Sequence, residues 1–562
     1  MTAPPPSDSR PSPFAGLAGR KWLTVLAIAG LYLLMGIYYH SFSRYGFNIW
    51  DEGGFANGTL RTLRGERAGS DFNPIGYLPG RYLYGALFFK WFGIDVQSLR
   101  LGVLVLTPGM VLLVYAAARK LMSPGPALLA ALCAFSVPSM YYNRFYLIFC
   151  VANLFCLLHL VEKRRPAYLL ILIGSILISG YFKFEVALFS TVIAIPVLLF
   201  VLFVPSWRNE FLGGMAGSAR AAGFRFSRPV LWGGGGFMAL VAAGLVLHIQ
   251  NINLYEKGVQ QVVEAYRLWG NPFPQVFPFF DLWAKLGGHK LFERILFYLP
   301  PAIYAAVGFM LAYRVTARRR DLNWTDLQAL IVLAFGVAAF GLVIWRAGFD
   351  NLLRTLPPAY ILLCFLLDRL RVRALALPGF QAGETTRMKR VGLNIAVTLI
   401  PFLYLLEMNT HHGFYAGSIG ALRQETALLD LDRMKVYTDP GEARWIKGVV
   451  DRIETYTEPG DSIFVLPLNP IFYFLTDRVN PTPYDWILPG MLDEAEQKRV
   501  VEKLQANKPK LIIYIDIPID GKEERRFYNY APIVFRFIAD NYLFDEYVGY
   551  FQILLPRDLF QK

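Results

Sequence analysis

The chain predicts a polytopic α-helical membrane protein that ends in a water-soluble α/β domain. Hydrophobic residues make up 55% of its 562 positions and mean hydropathy is +0.37, too apolar for an ordinary soluble surface. Apolar stretches long enough to cross a bilayer recur through residues 22–407 and then stop. The charge balance changes at the same place: residues 1–407 hold 38 Lys+Arg against 19 Asp+Glu, and residues 408–562 hold 18 against 23.

The first apolar stretch, Trp22 to Tyr39, has span length and runs into HSFSRYG without a small-residue cleavage site, so it reads as a retained anchor. Comparable stretches follow near 99–118, 125–140, 145–161, 167–182, 186–204, 231–249, 295–313, 327–345, 355–367 and 391–406. About eleven spans result. Lys and Arg in short connections stay cytoplasmic, and Arg10, Arg20 and Lys21 place the N-terminus there. Alternate connections agree: Arg119-Lys120, Lys163 to Arg165, Arg208 with Arg220, Arg225 and Arg228, Arg314 with Arg318 to Arg320, and Arg369 through Arg390. An odd number of spans puts the C-terminal segment outside. The expected location is the cell (inner) membrane, with residues 408–562 periplasmic or extracellular. The net charge of +14 then reports topology and contact with anionic membrane lipids, not nucleic acid. Cys133, Cys150, Cys156 and Cys364 all fall in predicted spans, which leaves no disulfide framework and no CxxC metal site.

Three regions follow. Residues 1–21 are Pro/Ser-rich and expected to be a disordered cytoplasmic N-terminus. Residues 22–407 form the membrane domain, with long outer loops at about 41–98 and 250–294. Residues 408–562 form the outer domain. There, Trp445, Ile446, Val449, Val450 and Ile453 mark one face of a helix. The turn Glu458-Pro459-Gly460-Asp461 leads into the apolar strand SIFVLP, and the charged helix DEAEQKRVVEKLQANKPK leads into a strand at Leu511 to Ile515. Helices alternating with short apolar strands suggest an α/β layer. No Gly-rich phosphate loop sits at a strand end.

Loop 41–98 opens on the acidic pair Asp51-Glu52 in FNIWDEGG, just outside the first span. The run that follows places Phe55, Leu60 and Leu63 on one side with Arg61, Arg64 and Arg67 beside them, a pattern expected of a helix lying in the membrane interface. Turn residues at Asn73-Pro74 and Pro79-Gly80 precede an aromatic-rich amphipathic piece suited to headgroup level.

In this order the motifs resemble the GT-C glycosyltransferases, in particular the aminoarabinose-transferase and protein O-mannosyltransferase branch. The resemblance rests on a first span, the acidic pair, a helix ending in Gly-Glu, the segment at 77–80, FFKWFG at 88–93 and SLRLGVLVL entering the second span. SGYFKFE at 179–185 and FDNLLRTLPPAYILL at 349–363 fit later family elements. It covers most of residues 22–407. It implies the GT-C fold and transfer of a sugar from a polyprenyl-phosphate carrier to an acceptor hydroxyl on the outer face, with inversion and with Asp51 as base. The chain departs from the aminoarabinose branch where that branch has Lys-Pro-Pro: here the residues are Leu78-Pro79-Gly80-Arg81. Donor and acceptor therefore do not carry over, and the phosphate-contacting cation moves to Arg81.

The chemistry supports the same residues. A sugar hydroxyl is a poor nucleophile, and a carboxylate within reach removes its proton as the new bond forms. A leaving lipid phosphate needs positive charge, for which the planar Arg fork is well shaped. Catalytic candidates are Asp51 and Glu52; carrier or sugar contacts are Tyr77, Arg81, Arg144, Lys183 and Arg354. Each has a plainer alternative. The acidic pair starts a surface helix, Lys183 pairs with Glu185, and Arg354 or Arg144 anchors a span end at the interface. His411-His412 lacks a third metal ligand in view, and Asn57-Gly58-Thr59 matches a glycosylation sequon by chance. No Asp-x-Asp lies in the outer loops near the membrane, so metal-independent chemistry and no other cofactor are expected.

Two other classes remain open. A transporter or flippase places ionisable residues near the bilayer midplane in matching halves, whereas here charges gather at span ends and no repeat is visible. An O-antigen ligase or polymerase type of enzyme centres on a large late outer loop, and loop 250–294 is long enough for that. Expected partners are the lipid-linked donor, an acceptor that is a lipid, a glycan or a protein, and membrane lipid.

Orientation is tested by single cysteines at Ser218 and Asn507 in a background lacking the native four. An impermeant thiol reagent applied outside should label position 507 and not 218. The reverse pattern would invert the topology.

Overall fold

The computed structural model describes residues 21–74, 77–136, 140–221, 274, 285–316, 322–376, 385–411 and 421–560. The N-terminal segment to residue 20, the expected span at 231–249, most of loop 250–294 and His412 lie outside the described residues.

The membrane domain is helical. After α1 (Lys21–Ser41), the short helices α2 (Asp51–Leu63) and α3 (Pro79–Phe92) lie before the next long helix. Then come α4 (Val96–Ala118), α5 (Pro124–Ser136), α6 (Arg144–Lys163), α7 (Pro166–Phe182), α8 (Phe184–Phe203) and α9 (Pro205–Ala221). The later part holds α10 (Gly288–Leu296), α11 (Leu299–Thr316), α12 (Trp324–Trp345), the one-turn α13 (Phe349–Leu353), α14 (Pro357–Leu375) and α15 (Thr385–His411). Six helices among the described residues are long and apolar enough to cross a bilayer. Val25, Leu34, Val192, Ile195, Ile395 and Phe402 stand exposed on the apolar helices, as a lipid-facing surface requires. Inside, Asn153 of α6 donates to Ser179 of α7 and Ser190 of α8 at 3.0 Å each, and accepts from Ser175 at 2.6 Å. Buried amide and hydroxyl groups paired in this way fix one helix register where apolar packing alone is degenerate.

Connections that the charge pattern assigns to one side do meet. Arg164 after α6 pairs with Glu210 of α9 and lies 4.1 Å from the Trp324 ring at the start of α12, and Lys120 after α4 pairs with Glu162 of α6. Helix α9 itself was not expected; it fills that connection.

The C-terminal region begins with a hairpin, β1 (Ala427–Leu431) and β2 (Met434–Thr438). A four-stranded sheet of order β3-β4-β6-β5 follows, with β3 (Ile463–Leu466) parallel to β4 (Leu511–Tyr514) and β6 (Phe551–Pro556) antiparallel to both β4 and β5 (Tyr542–Val548). The runs IFVL and LIIY are buried throughout because both faces are covered. Ile463, Val465, Leu511 and Ile513 pack with Ile446, Val449 and Ile453 of α16 (Pro440–Tyr456). Phe464, Leu466 and Ile512 pack with Val500 and Leu504 of α17 (Glu494–Ala506) and with Val534 and Ile538. The two expected helix-strand units are therefore present, and the β5-β6 hairpin completes the sheet.

One expectation is corrected. Helix α2 does not lie in the membrane interface: every residue from Glu52 to Arg61 is buried. It is enclosed by α3 and by the C-terminal region, with Phe55 and Leu60 in one apolar cluster with Val465, Ile471 and Phe474. A Cβ on Gly53 would meet Ile471 Cβ at 2.7 Å, and one on Gly58 would meet the Tyr82 ring at 2.4 Å. The glycines of DEGGFANG thus let neighbours approach to backbone distance. Arg61, expected on a wet face, instead bonds Asp485 at 2.8 Å and Glu66 at 2.7 Å. Asn57 is buried as well, which removes its sequon from the surface. Backbone pairing adds to the joint: Gly46 N donates to Tyr437 O at 2.9 Å and Tyr437 N to Arg44 O at 2.6 Å.

Substituting Asp485→Asn removes one of the two carboxylates that hold Arg61. Loss of a buried charged hydrogen-bond partner costs about 2 kcal/mol, and the thermal midpoint of the purified protein should fall accordingly. Lys498→Gln, at an exposed pair, should leave it unchanged.

Candidate active site

The acidic pair divides at the start of α2. Asn48 turns the chain into this helix: its side-chain Oδ1 accepts from Trp50 N at 3.1 Å and Asp51 N at 2.7 Å, and its carbonyl accepts from Glu52 N at 3.1 Å. Glu52 faces Arg100 of α4, whose Nε and Nη2 meet its two oxygens at 2.6 and 2.8 Å. Arg100 also donates to the carbonyls of Ser43 and Gly46. Both Glu52 oxygens are engaged in this buried pair, so the expectation of Glu52 as a second catalytic carboxylate is corrected: its geometry is that of an anchor between α2 and α4.

Asp51 has different surroundings. Its carboxylate accepts from the Tyr142 hydroxyl and lies among Arg346, Asp350 and Arg81. Burial pushes its carboxyl above the ordinary range, while Arg346 and Arg81 pull the other way. A carboxylate raised in this manner is a stronger base than one in water.

Arg81, in the first turn of α3, is 1% exposed. Its guanidinium lies 3.8 Å from the Tyr77 ring centroid and 4.2 Å from that of Phe55. Nε, Nη1 and Nη2 hold no hydrogen bond of good geometry among the described residues, and the Tyr77 hydroxyl is a weaker polar neighbour. Lys183, at the junction of α7 and α8, shares the Tyr77 ring at 4.1 Å and stands 3.9 Å from Glu185 Oε1. Burial lowers Lys183 to about 8; Glu185 opposes the shift and the charges of Arg354 and Arg81 add to it. Burial likewise raises Tyr77, and Asp51 raises it further. Arg354, closing α13, donates to Asn143 Oδ1 at 3.1 Å and to Asn351 Oδ1 at 2.5 Å. Asp350 on the same turn accepts from Met140 N at 3.2 Å and from the Asn143 amide.

Asp51, Tyr77, Arg81, Lys183 and Arg354 therefore form one constellation drawn from four segments. Arg144 does not join it. Its guanidinium is buried over Tyr141 at 4.2 Å and Tyr39 at 5.7 Å, with Arg100 and Glu52 as charged neighbours, which binds α6 to α1 and corrects its assignment to the carrier. Sequence reasoning missed Tyr142, Arg346 and Asp350. The signals YYNR and FDNLLR were visible, but each was read for its arginine.

The fold is that of the GT-C membrane glycosyltransferases. The crystal structure of ArnT from Cupriavidus metallidurans bound to undecaprenyl phosphate superposes with a TM-score of 0.51 at 13% identity, over 94% of this chain and 97% of that one. Its apo state gives the same score and identity, over 96% and 98%. The oligosaccharyltransferase AglB from Archaeoglobus fulgidus gives 0.45 at 14% identity, over 95% and 74%. In sequence, residues 79–230 match the family described as dolichyl-phosphate-mannose-protein mannosyltransferase. No curated protein matches the chain in sequence.

Proposed function

We propose that the protein is an inverting glycosyltransferase that moves a sugar from a polyprenyl-phosphate carrier to an acceptor hydroxyl on the non-cytoplasmic face of the cell membrane. The single observation that carries this reading is the juxtaposition of Asp51 with the buried guanidinium of Arg81, whose forked donors stand over aromatic rings. Asp51 takes the proton of the acceptor hydroxyl as its oxygen bonds to the anomeric carbon. The bond from that carbon to the phosphate oxygen breaks, and its electron pair leaves on the carrier phosphate. Arg81, Lys183 and Arg354 surround that phosphate, where fixed positive charge in a site closed to water is most effective. Tyr77 orients two of these cations through its ring face. The undecaprenyl phosphate bound to the ArnT relative and the mannosyltransferase match of residues 79–230 support a lipid-phosphate donor. A metal has no part in the proposed step, because one base suffices for inversion and the cations stabilise the leaving group. The C-terminal region covers the site and contributes to acceptor binding.

A panel of polyprenyl-phosphate sugars identifies the donor. With that donor, Asp51→Asn keeps the shape and removes the basicity, so turnover should fall by roughly 10²–10⁴-fold while donor binding persists. Arg81→Ala should weaken donor binding and slow transfer together, since the phosphate is charged in both ground and transition states. Full activity in Asp51→Asn would remove it as base.

Lys183 adds a pH signature. Its depressed pKa means that the free protein holds the ammonium below about pH 8 and loses it above. Affinity for undecaprenyl phosphate should therefore decline above about pH 8. Lys183→Arg, charged throughout, should flatten that decline.

A further inference from the structure

The C-terminal region touches α2 through more than general packing. Trp486 is 6% exposed, and its ring lies so close to Gly54 that a Cβ there would stand 1.9 Å from two of its carbons. Gly54 is three residues after Asp51, on the same side of the helix one turn along. The indole therefore presses against the backbone of the turn that begins at Asp51. It is held from both flanks. The preceding residue, Asp485, bonds Arg61 of α2 at 2.8 Å and accepts from the Asn480 amide at 3.1 Å. The following residue, Ile487, donates its N–H to Pro467 O at 3.0 Å, at the end of β3. On the other side the Glu52–Arg100 pair ties the same turn to α4.

The first turn of α2 is thus fixed between a charge pair in the membrane domain and an aromatic ring in the C-terminal region. Asn48 caps it, but its glycines give the backbone freedom that a helix made of alanine would not have. Asn48 holds the Asp51 N–H and Tyr142 its carboxylate, while the backbone one turn further on is held by the ring.

We propose that Trp486 is a positioning residue for Asp51, through which the C-terminal region sets the aim of the base. This rests on Asp51 being the base, and it extends that reading by assigning a catalytic contribution to the outer domain. The carrier cations sit on α3, the α7–α8 junction and α13, and α2 meets them through the Phe55 ring, 4.2 Å from the Arg81 guanidinium. Loss of the Trp486 ring, which touches Gly54, should therefore act on the transfer step far more than on carrier binding.

The test uses the full-length protein, undecaprenyl phosphate as the binding probe, and the donor found by the panel for turnover. Trp486→Ala should lower kcat by about 10²-fold, the scale of a ~1 Å misplacement of a reacting group, with undecaprenyl phosphate affinity unchanged within about twofold. Trp486→Phe, which keeps a flat ring against Gly54, should recover most of the rate. Gly54→Ala should lose turnover because its methyl enters the ring. The double variant Gly54→Ala with Trp486→Leu makes room for that methyl and should exceed Gly54→Ala alone by at least about tenfold. That size-swap comparison decides the matter even if Trp486→Ala fails to fold. Wild-type kcat in Trp486→Ala would overturn the proposal, as would loss of carrier affinity in step with rate, or a double variant no better than Gly54→Ala. Retained activity in Asp51→Asn would instead overturn the base assignment, whatever Trp486 does.

Discussion

The close approach of neighbours to the glycine-bearing helix α2 is the constraint from which the joint between the membrane helices and the C-terminal region follows. Gly53, Gly54 and Gly58 each weaken an isolated helix by roughly 1 kcal/mol relative to alanine, so α2 depends on what encloses it. The absence of side chains at those positions lets Ile471, Trp486 and Tyr82 reach the helix backbone, and dispersion attraction at that short range offsets the weak intrinsic propensity. A helix built this way has little tolerance for displacement in any direction. That rigidity suits the role proposed for Asp51, which needs a carboxylate held at hydrogen-bond distance from a hydroxyl.

Charge burial sets the second condition. Guanidinium and ammonium groups removed from water are costly unless paired, yet Arg81 and Lys183 are almost fully buried and face aromatic rings more than carboxylates. Ring faces offset only part of the lost hydration. The depressed Lys183 registers the remainder. An anion entering among these groups would supply counter-charge, and under the proposed function the energy that the site stores as desolvation becomes affinity for the carrier phosphate.

Much of this was legible from residue types alone. Apolar runs of span length located the helices, and the alternation of Lys and Arg grouped the connections that meet at one end, as Arg164, Glu210 and Trp324 do. The residues Asp51, Tyr77, Arg81, Lys183 and Arg354 converge because each lies at an end of its element or just before one. What failed were judgements that need knowledge of neighbours. A helix with alternating leucines and arginines has the same pattern whether lipid or protein covers it, and α2 proved to be covered by protein. Glu52 and Asp51 are indistinguishable in sequence; Arg100, which separates their roles, lies 48 positions away. Arg144 has the type and position of a phosphate ligand, but aromatic residues from α1 and the α6 entry surround it. Tyr142 stood in a motif whose arginine drew the attention.

The joint between Arg61 and Asp485 spans 424 residues, and this separation has a bearing on biogenesis. The segment carrying Asp51 leaves the ribosome well before the C-terminal residues that enclose it. Until then, α2 lacks its partner ring and the Asp485 counter-ion of Arg61, and a glycine-bearing helix without them is marginal. Contacts of such long range close late and slowly. The membrane helices can accordingly be inserted while α2 still lacks part of its enclosure. A chain interrupted before residue 485 would carry Asp51 on a helix without the Arg61–Asp485 joint.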